Sequence, residues 1–131
     1  MRYNEIEVGM VKELTHKLTQ DDIKIFVELT GDDNRLHTDI EYASKTSFKK
    51  PVAHGMLGAS FISTIIGTKI PGDGALWFSQ SLEFLLPVRV GDSLTVRAEV
   101  VKKDDRTFVI DLKTDVVNQN KQKVIQGLAK V

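Results

Sequence analysis

The chain contains no cysteine. Disulfides, thiolate catalysis and zinc–thiolate sites are therefore excluded. It has no excess charge of either sign. Eighteen basic side chains balance eighteen acidic ones, for a formal net charge of zero. Neither nucleic acid nor an anionic membrane is an expected partner of such a surface. No hydrophobic run is long enough to span a bilayer: the longest apolar region, Met56 to Ile66, is interrupted by Gly58, Ser60, Ser63 and Thr64. The opening residues, Met1-Arg2-Tyr3-Asn4-Glu5, carry no apolar stretch of signal-peptide length. A cytoplasmic protein is the expectation. There are only three prolines, and no repeat, low-complexity tract or linker composition divides the chain. At 131 residues, 41% hydrophobic and 27% charged, the chain has the size and composition of one globular domain, residues 1–131.

The first half reads as helical. Residues 6–18 are mixed and suit a short strand. Thr19-Gln20-Asp21-Asp22 forms a capping box with Asp in place of Glu. Ile23, Phe26, Val27 and Thr30 follow at helical spacing, and Gly31 supplies the stop. Thr38 or Asp39 caps a short second helix through Glu41, Tyr42 and Ala43. Gly55 to Gly67 is apolar on nearly every face, the mark of a helix enclosed by other structure. Beyond the Ile70–Gly74 turn the period changes to two. Leu94, Val96, Ala98 and Val100 alternate with polar residues, as do Phe108, Ile110 and Leu112. Residues 122–131 make a third strand, and residues 75–86 supply another. The expected class is α+β, an antiparallel meander covered by one buried helix.

Two segments carry chemistry. Gly31-Asp32-Asp33-Asn34-Arg35-Leu36-His37 is a short polar loop, and Pro51-Val52-Ala53-His54-Gly55-Met56-Leu57 leads into the enclosed helix. A carboxylate and an imidazole five positions apart can share one water, and histidine exchanges protons near neutral pH. Taken singly, each has a plain structural reading: an aspartate after a helix-ending glycine bonds nearby amides, and a histidine is held by a hydrogen bond. Spacing does not choose between Asp32 and Asp33. If the helix starts near Gly55, its first amides lack intrahelical partners and carry the positive end of the helix dipole, a place for a developing oxyanion. His54 is read as fixing its loop through a backbone hydrogen bond. Ser60 and Ser63 lie three apart on the apolar helix, where small hydroxyls commonly bond the preceding turn. The three histidines, His16, His37 and His54, show no i,i+4 metal spacing, and no metal is expected. Gly-x-Ser-x-Gly, Walker and dinucleotide motifs are missing.

Together, Thr30-Gly31-Asp32-Asp33-Asn34-Arg35-Leu36-His37-Thr38-Asp39, Tyr42-Ala43, and Phe48-Lys49-Lys50-Pro51-Val52-Ala53-His54-Gly55-Met56-Leu57 resemble the hydratase signature of the MaoC-like dehydratases, most of all their R-specific enoyl-CoA hydratases. The resemblance continues through residues 80–92. It implies a single hot-dog fold, an antiparallel sheet wrapped around a long central helix, and a homodimer with an acyl tunnel near the interface. It implies Asp32 and His37 as the catalytic pair, the Gly55 amide as oxyanion donor, and Asn34 and Ser63 as supporting groups. The implied reaction is reversible hydration of trans-2-enoyl-CoA to (R)-3-hydroxyacyl-CoA, one member of the pair acting as base and the other delivering a proton to Cα. No metal or redox cofactor is needed. Pathways consistent with the family include polyhydroxyalkanoate monomer supply, fatty-acid oxidation and fatty-acid synthesis.

One position departs from the family pattern: Arg35 stands where its loop usually has proline. Helical spacing further puts Met56, Ala59 and Ile66 on the face of Ser63, where they are expected to line the acyl pocket, with Ile66 limiting chain length. Three other functions compete. One is dehydration of 3-hydroxyacyl groups on acyl-carrier protein. Another is a non-catalytic acyl-thioester-binding domain, which needs the tunnel but not the pair. The third is thioester hydrolysis by a related hot-dog enzyme, which release of free carrier thiol would reveal.

Overall fold

The computed structural model describes all 131 residues. After a 3-10 turn at Tyr3–Glu5 come β1 (Val11–Lys17) and α1 (Gln20–Thr30). Two short helices follow, α2 (Arg35–Thr38) and α3 (Ile40–Ser44), then α4 (Gly55–Thr68). The second half holds two-residue strands β2 (Ser79–Gln80) and β3 (Glu83–Phe84) and three long ones, β4 (Ser93–Asp104), β5 (Val109–Val117) and β6 (Lys123–Lys130). All pairings are antiparallel in the order β1-β4-β5-β6-β2, with β3 also on β6.

Alternation makes this sheet one-sided. Leu94, Val96, Ala98 and Val100 on β4 are at most 1% exposed, and Ile110, Leu112 and Val116 continue the apolar face on β5. α4 lies against that face, chiefly on β4. It buries Leu57, Ala59, Ile62, Ile65 and Ile66, and Gly58 fits against Ile125. One core cluster joins these helix and sheet side chains to Leu18 and Ile23. The sheet wraps one long helix, as the resemblance implies. No helix is long and apolar enough to cross a membrane.

Local chemistry explains the boundaries near the site. Thr19 Oγ1 accepts from the Asp22 amide at 3.1 Å, and Asp22 accepts from the Thr19 amide at 2.9 Å, closing the capping box. Gly31 ends α1 in the left-handed conformation, φ 77°, as a glycine readily does. Asp39, not Thr38, caps α3, accepting from the Tyr42 amide at 3.0 Å.

Two expectations need correction. The segment from Gly31 to His37 is not loop throughout: Asn34 Oδ1 accepts from the Leu36 amide at 2.9 Å and starts the turn of helix α2, on which His37 sits. Residues 75–86 do not make a full strand. They run beside β6 in one register, pairing at β2 and β3 with further backbone bonds from the Phe78, Ser81, Leu85 and Leu86 amides, and the ladder breaks where the chain passes so close to Gly127 that a Cβ there would meet the Ser81 carbonyl oxygen.

Candidate active site

Asp32 follows the end of α1, His37 rides on α2, and Gly55 is the first residue of α4. The fold brings all three to the wall of one cavity of about 810 Å³. That is a typical size for a small-molecule site. Apolar side chains from Phe26, Met56, Ala59, Ile62, Trp77 and Leu82 make up much of the rest, with Ser63, Thr30 and Gln80. Asp33 does not line it.

His37 is fixed by its backbone surroundings. Its Nδ1 lies 2.6 Å from the Val52 carbonyl. A carbonyl only accepts, so Nδ1 carries the hydrogen and neutral His37 presents a lone pair at Nε2. Nε2 has no protein partner and is not enclosed. Val52 is itself held: its amide donates to the Leu36 carbonyl at 3.2 Å, and the neighbouring Ala53 amide donates to Val88 at 2.7 Å. Arg89 secures the preceding segment, donating to the carbonyls of Phe48 at 2.8 Å and Lys50 at 2.9 Å.

Asp32 is exposed at the mouth, where its Oδ1 accepts from the Asn34 amide at 3.3 Å. Ligand atoms of Asp32, His37 and His54 lie within 4.8 Å of one another. One water with two hydrogen bonds of about 2.8 Å spans such a distance. The same three groups are close enough to share a cation, and the carbonyl bonds of His37 to Val52 and of His54 to Asp32 leave one nitrogen free on each ring. On the same cavity wall, the Gly55 amide donates to no protein acceptor and sits at the N-terminus of a 14-residue helix. A second, apolar cavity of about 500 Å³ shares Gly55 and Met56 with the first and is otherwise walled by residues such as Phe84, Leu86 and Val88.

The other expected residues divide. Met56, Ala59 and Ser63 line the main cavity. Asn34 does not; it caps α2. Ile66 does not either. It is 2% exposed within the core cluster, because a helix enclosed on several sides has core-facing residues at the same i,i+3 spacing as cavity-facing ones. Ser60 Oγ bonds the Leu57 carbonyl at 2.6 Å, the ordinary role of a helix hydroxyl. Arg35 occupies the first position of α2, a favoured place for proline, and its guanidinium lies 4.5 Å over the Tyr42 ring. The packing of His54 on His37 had no sequence signal, since the two are far apart in the chain and meet only through the fold.

A one-sided antiparallel sheet around a long helix defines a hot-dog domain, and Asp32, His37 and the N-terminus of the helix line one largely apolar cavity in it. Residues 3–122 match the model of the MaoC like domain, and the chain belongs to that family. A 3-hydroxybutyryl-CoA dehydratase of Methylorubrum extorquens is 39% identical over 76% of this chain, a match spanning 64% of that relative, just under two thirds of its length. An (R)-specific enoyl-CoA hydratase of Aeromonas caviae is 35% identical over 100% of this chain and 98% of its own. Among solved structures, the unliganded R-hydratase PhaJ1 of Pseudomonas aeruginosa superposes with TM-score 0.91 at 39% identity, covering 98% of this chain and 82% of that one.

Proposed function

We propose that residues 1–131 form one hydro-lyase domain that reversibly hydrates trans-2-enoyl-CoA to (R)-3-hydroxyacyl-CoA. The observation that carries this reading is the convergence of Asp32, His37 and the free Gly55 amide on one largely apolar cavity. The relatives named above act in the same chemistry.

The tautomer of His37 suggests how the pair divides its work. A water lies between the Asp32 carboxylate, which orients it, and the bare Nε2 of His37. As the water oxygen bonds to Cβ, His37 takes the proton. The electron pair of the double bond moves toward the thioester carbonyl, whose oxygen gains charge against the Gly55 amide. The proton held by His37 then passes to Cα as the carbonyl re-forms. The hydrogen and hydroxyl of one water end on adjacent carbons, and nothing is oxidised or reduced. Dehydration runs through the same steps in reverse. Met56, Ala59 and the apolar wall take the acyl chain, and Ser63 supports the site.

Large apolar side chains remain exposed near β2 and β3: Leu76 at 81%, Phe78 at 63% and Phe84 at 52%. A second copy of the chain covering this region forms the expected homodimer, a state that light scattering after size exclusion reads directly. The cytoplasm remains the expected compartment.

The test is loss of enoyl-thioester absorbance when purified protein meets crotonyl-CoA, with chiral analysis of the product. Formation of (R)-3-hydroxybutyryl-CoA supports the reading. Release of free CoA thiol, the S product, or no reaction on short and longer enoyl-CoA contradicts it. Turnover only on acyl-carrier-protein thioesters replaces the carrier and keeps the chemistry.

A further inference from the structure

His54 has no part in the steps above, yet it is 3% exposed and touches both members of the pair. It stands at the position before α4, where a side chain often caps the helix, and it caps nothing. Its Nε2 instead reaches the Asp32 carbonyl, 22 residues earlier in the chain, at 2.9 Å. Because a carbonyl only accepts, Nε2 carries the hydrogen. Nδ1 is buried without a partner. A proton there would be a buried donor lacking an acceptor on a buried cation, and both are costly. The ring is packed between Phe26, at 4.7 Å between centroids, and His37, at 3.9 Å and 32°.

We infer that His54 is a positioning residue for hydration, its neutral Nε2–H form tying the backbone of Asp32, and its ring face backing His37, to the start of α4. The inference rests on the function proposed above. Asp32 otherwise depends on local, longer hydrogen bonds: its amide to Thr30 Oγ1 at 3.2 Å and its Oδ1 from the Asn34 amide at 3.3 Å. The bond from His54 is the one that reaches it from another element. His54 directly precedes Gly55, so the same residue links carboxylate, base and oxyanion donor in one frame. His54 also lines the cavity wall, but loss of that link lets Asp32 drift from His37 without removing either reacting side chain or the Gly55 amide.

Two variants and one spectrum test this. His54→Leu removes the donor while keeping apolar bulk. His54→Gln puts an amide N–H near the place of Nε2 and cannot titrate. A misplacement of about 1 Å costs on the order of 10²-fold in rate, so His54→Leu is expected to lose roughly 10–10²-fold in kcat with KM little changed. His54→Gln is expected to recover most of that loss. Wild-type kcat in His54→Leu, or a Gln variant as impaired as the Leu one, overturns the inference. Nitrogen-15 NMR of the unmodified protein at neutral pH is expected to show a protonated Nε2 and a bare Nδ1 for His54. The opposite tautomer, or a doubly protonated ring, overturns it even if His54→Leu does not fold. Wild-type protein that turns over no enoyl thioester refutes the proposed function instead, so the two failures are distinct.

Discussion

Gly55→Ala isolates the oxyanion donor. A Cβ built on Gly55 lies 2.7 Å from both Cδ1 and Cε1 of Phe84, where ordinary contact begins at 3.4 Å. The ring must therefore retreat by at least 0.7 Å (3.4 − 2.7), or the start of α4 must shift. Phe84 is 52% exposed in a single chain, but the second copy proposed above covers this region, so the ring yields only part of that distance. Overpacking costs about 1–3 kcal/mol, and alanine in place of helical glycine returns up to about 1 kcal/mol. The net loss is about 0–3 kcal/mol, a fall in Tm of up to about 12 °C, and the variant is expected to fold. Activity suffers more, because the methyl and the displaced ring crowd the amide where the carbonyl must lie. Loss of one oxyanion donor lowers kcat by about 10²–10³-fold. Gly58→Ala is the control on the same helix: its Cβ meets only Ile125 Cδ1, at 3.2 Å, and neither residue lines the main cavity. The assay is crotonyl-CoA hydration beside a thermal melt for each variant. A folded Gly55→Ala protein with wild-type kcat refutes the assignment of the Gly55 amide.

Three further outcomes are expected. Burial raises the proton affinity of Asp22, but its hydrogen bonds from His16 and the Thr19 amide outweigh this and hold it below the usual carboxylate value. The stability it contributes is present above the unfolded value of about 3.9 and lost as pH falls through the lower folded value. The Tm gap between wild type and Asp22→Asn should therefore narrow below about pH 4; a gap that widens there contradicts the pairing. Arg89→Leu unties the carbonyls of Phe48 and Lys50, and urea unfolding should show a loss of about 1–3 kcal/mol; an unchanged midpoint refutes the clamp. Arg35→Pro should be accommodated, because Asn34 already has φ −47° and ψ 128° and the Arg35 amide makes no bond. The entropic gain of about 0.4–1 kcal/mol and the lost contact to Tyr42 of about 0.5–1 kcal/mol nearly cancel, and activity should persist; an unfolded or inactive variant refutes this.

Local rules made much of the fold legible. Thr19, Asp22 and Gly31 mark both ends of α1 by backbone chemistry that acts within a few residues, and strict alternation marks β4 and β5. Reading failed where long-range packing decides. The single turn of α2 depends on one asparagine side chain, too short a signal to separate from a loop. Residues 75–86 carry strand-forming side chains and follow β6 in one register, but the ladder breaks where Ser81 lies against Gly127, a long-range contact that local pattern does not show. At the site, the two motifs pointed to Asp32, His37 and Gly55, yet nothing in the order of residues placed His54 against His37 or Arg89 over the carbonyls behind it. Helical spacing could not separate Ile66 in the core from Ala59 at the cavity, because the two share one face of α4 and are both buried.

The most direct measurement is turnover of crotonyl-CoA by wild type, Asp32→Asn and His37→Gln, with each variant shown to be folded and its product resolved by hand. A general acid–base group contributes about 10²–10⁴-fold, so His37→Gln should fall by that much, and Asp32→Asn, which loses the carboxylate that orients the water, should also fall well below wild type, while wild type yields the R product. Near-wild-type turnover in either folded variant contradicts the claim that Asp32 and His37 hold the reacting water.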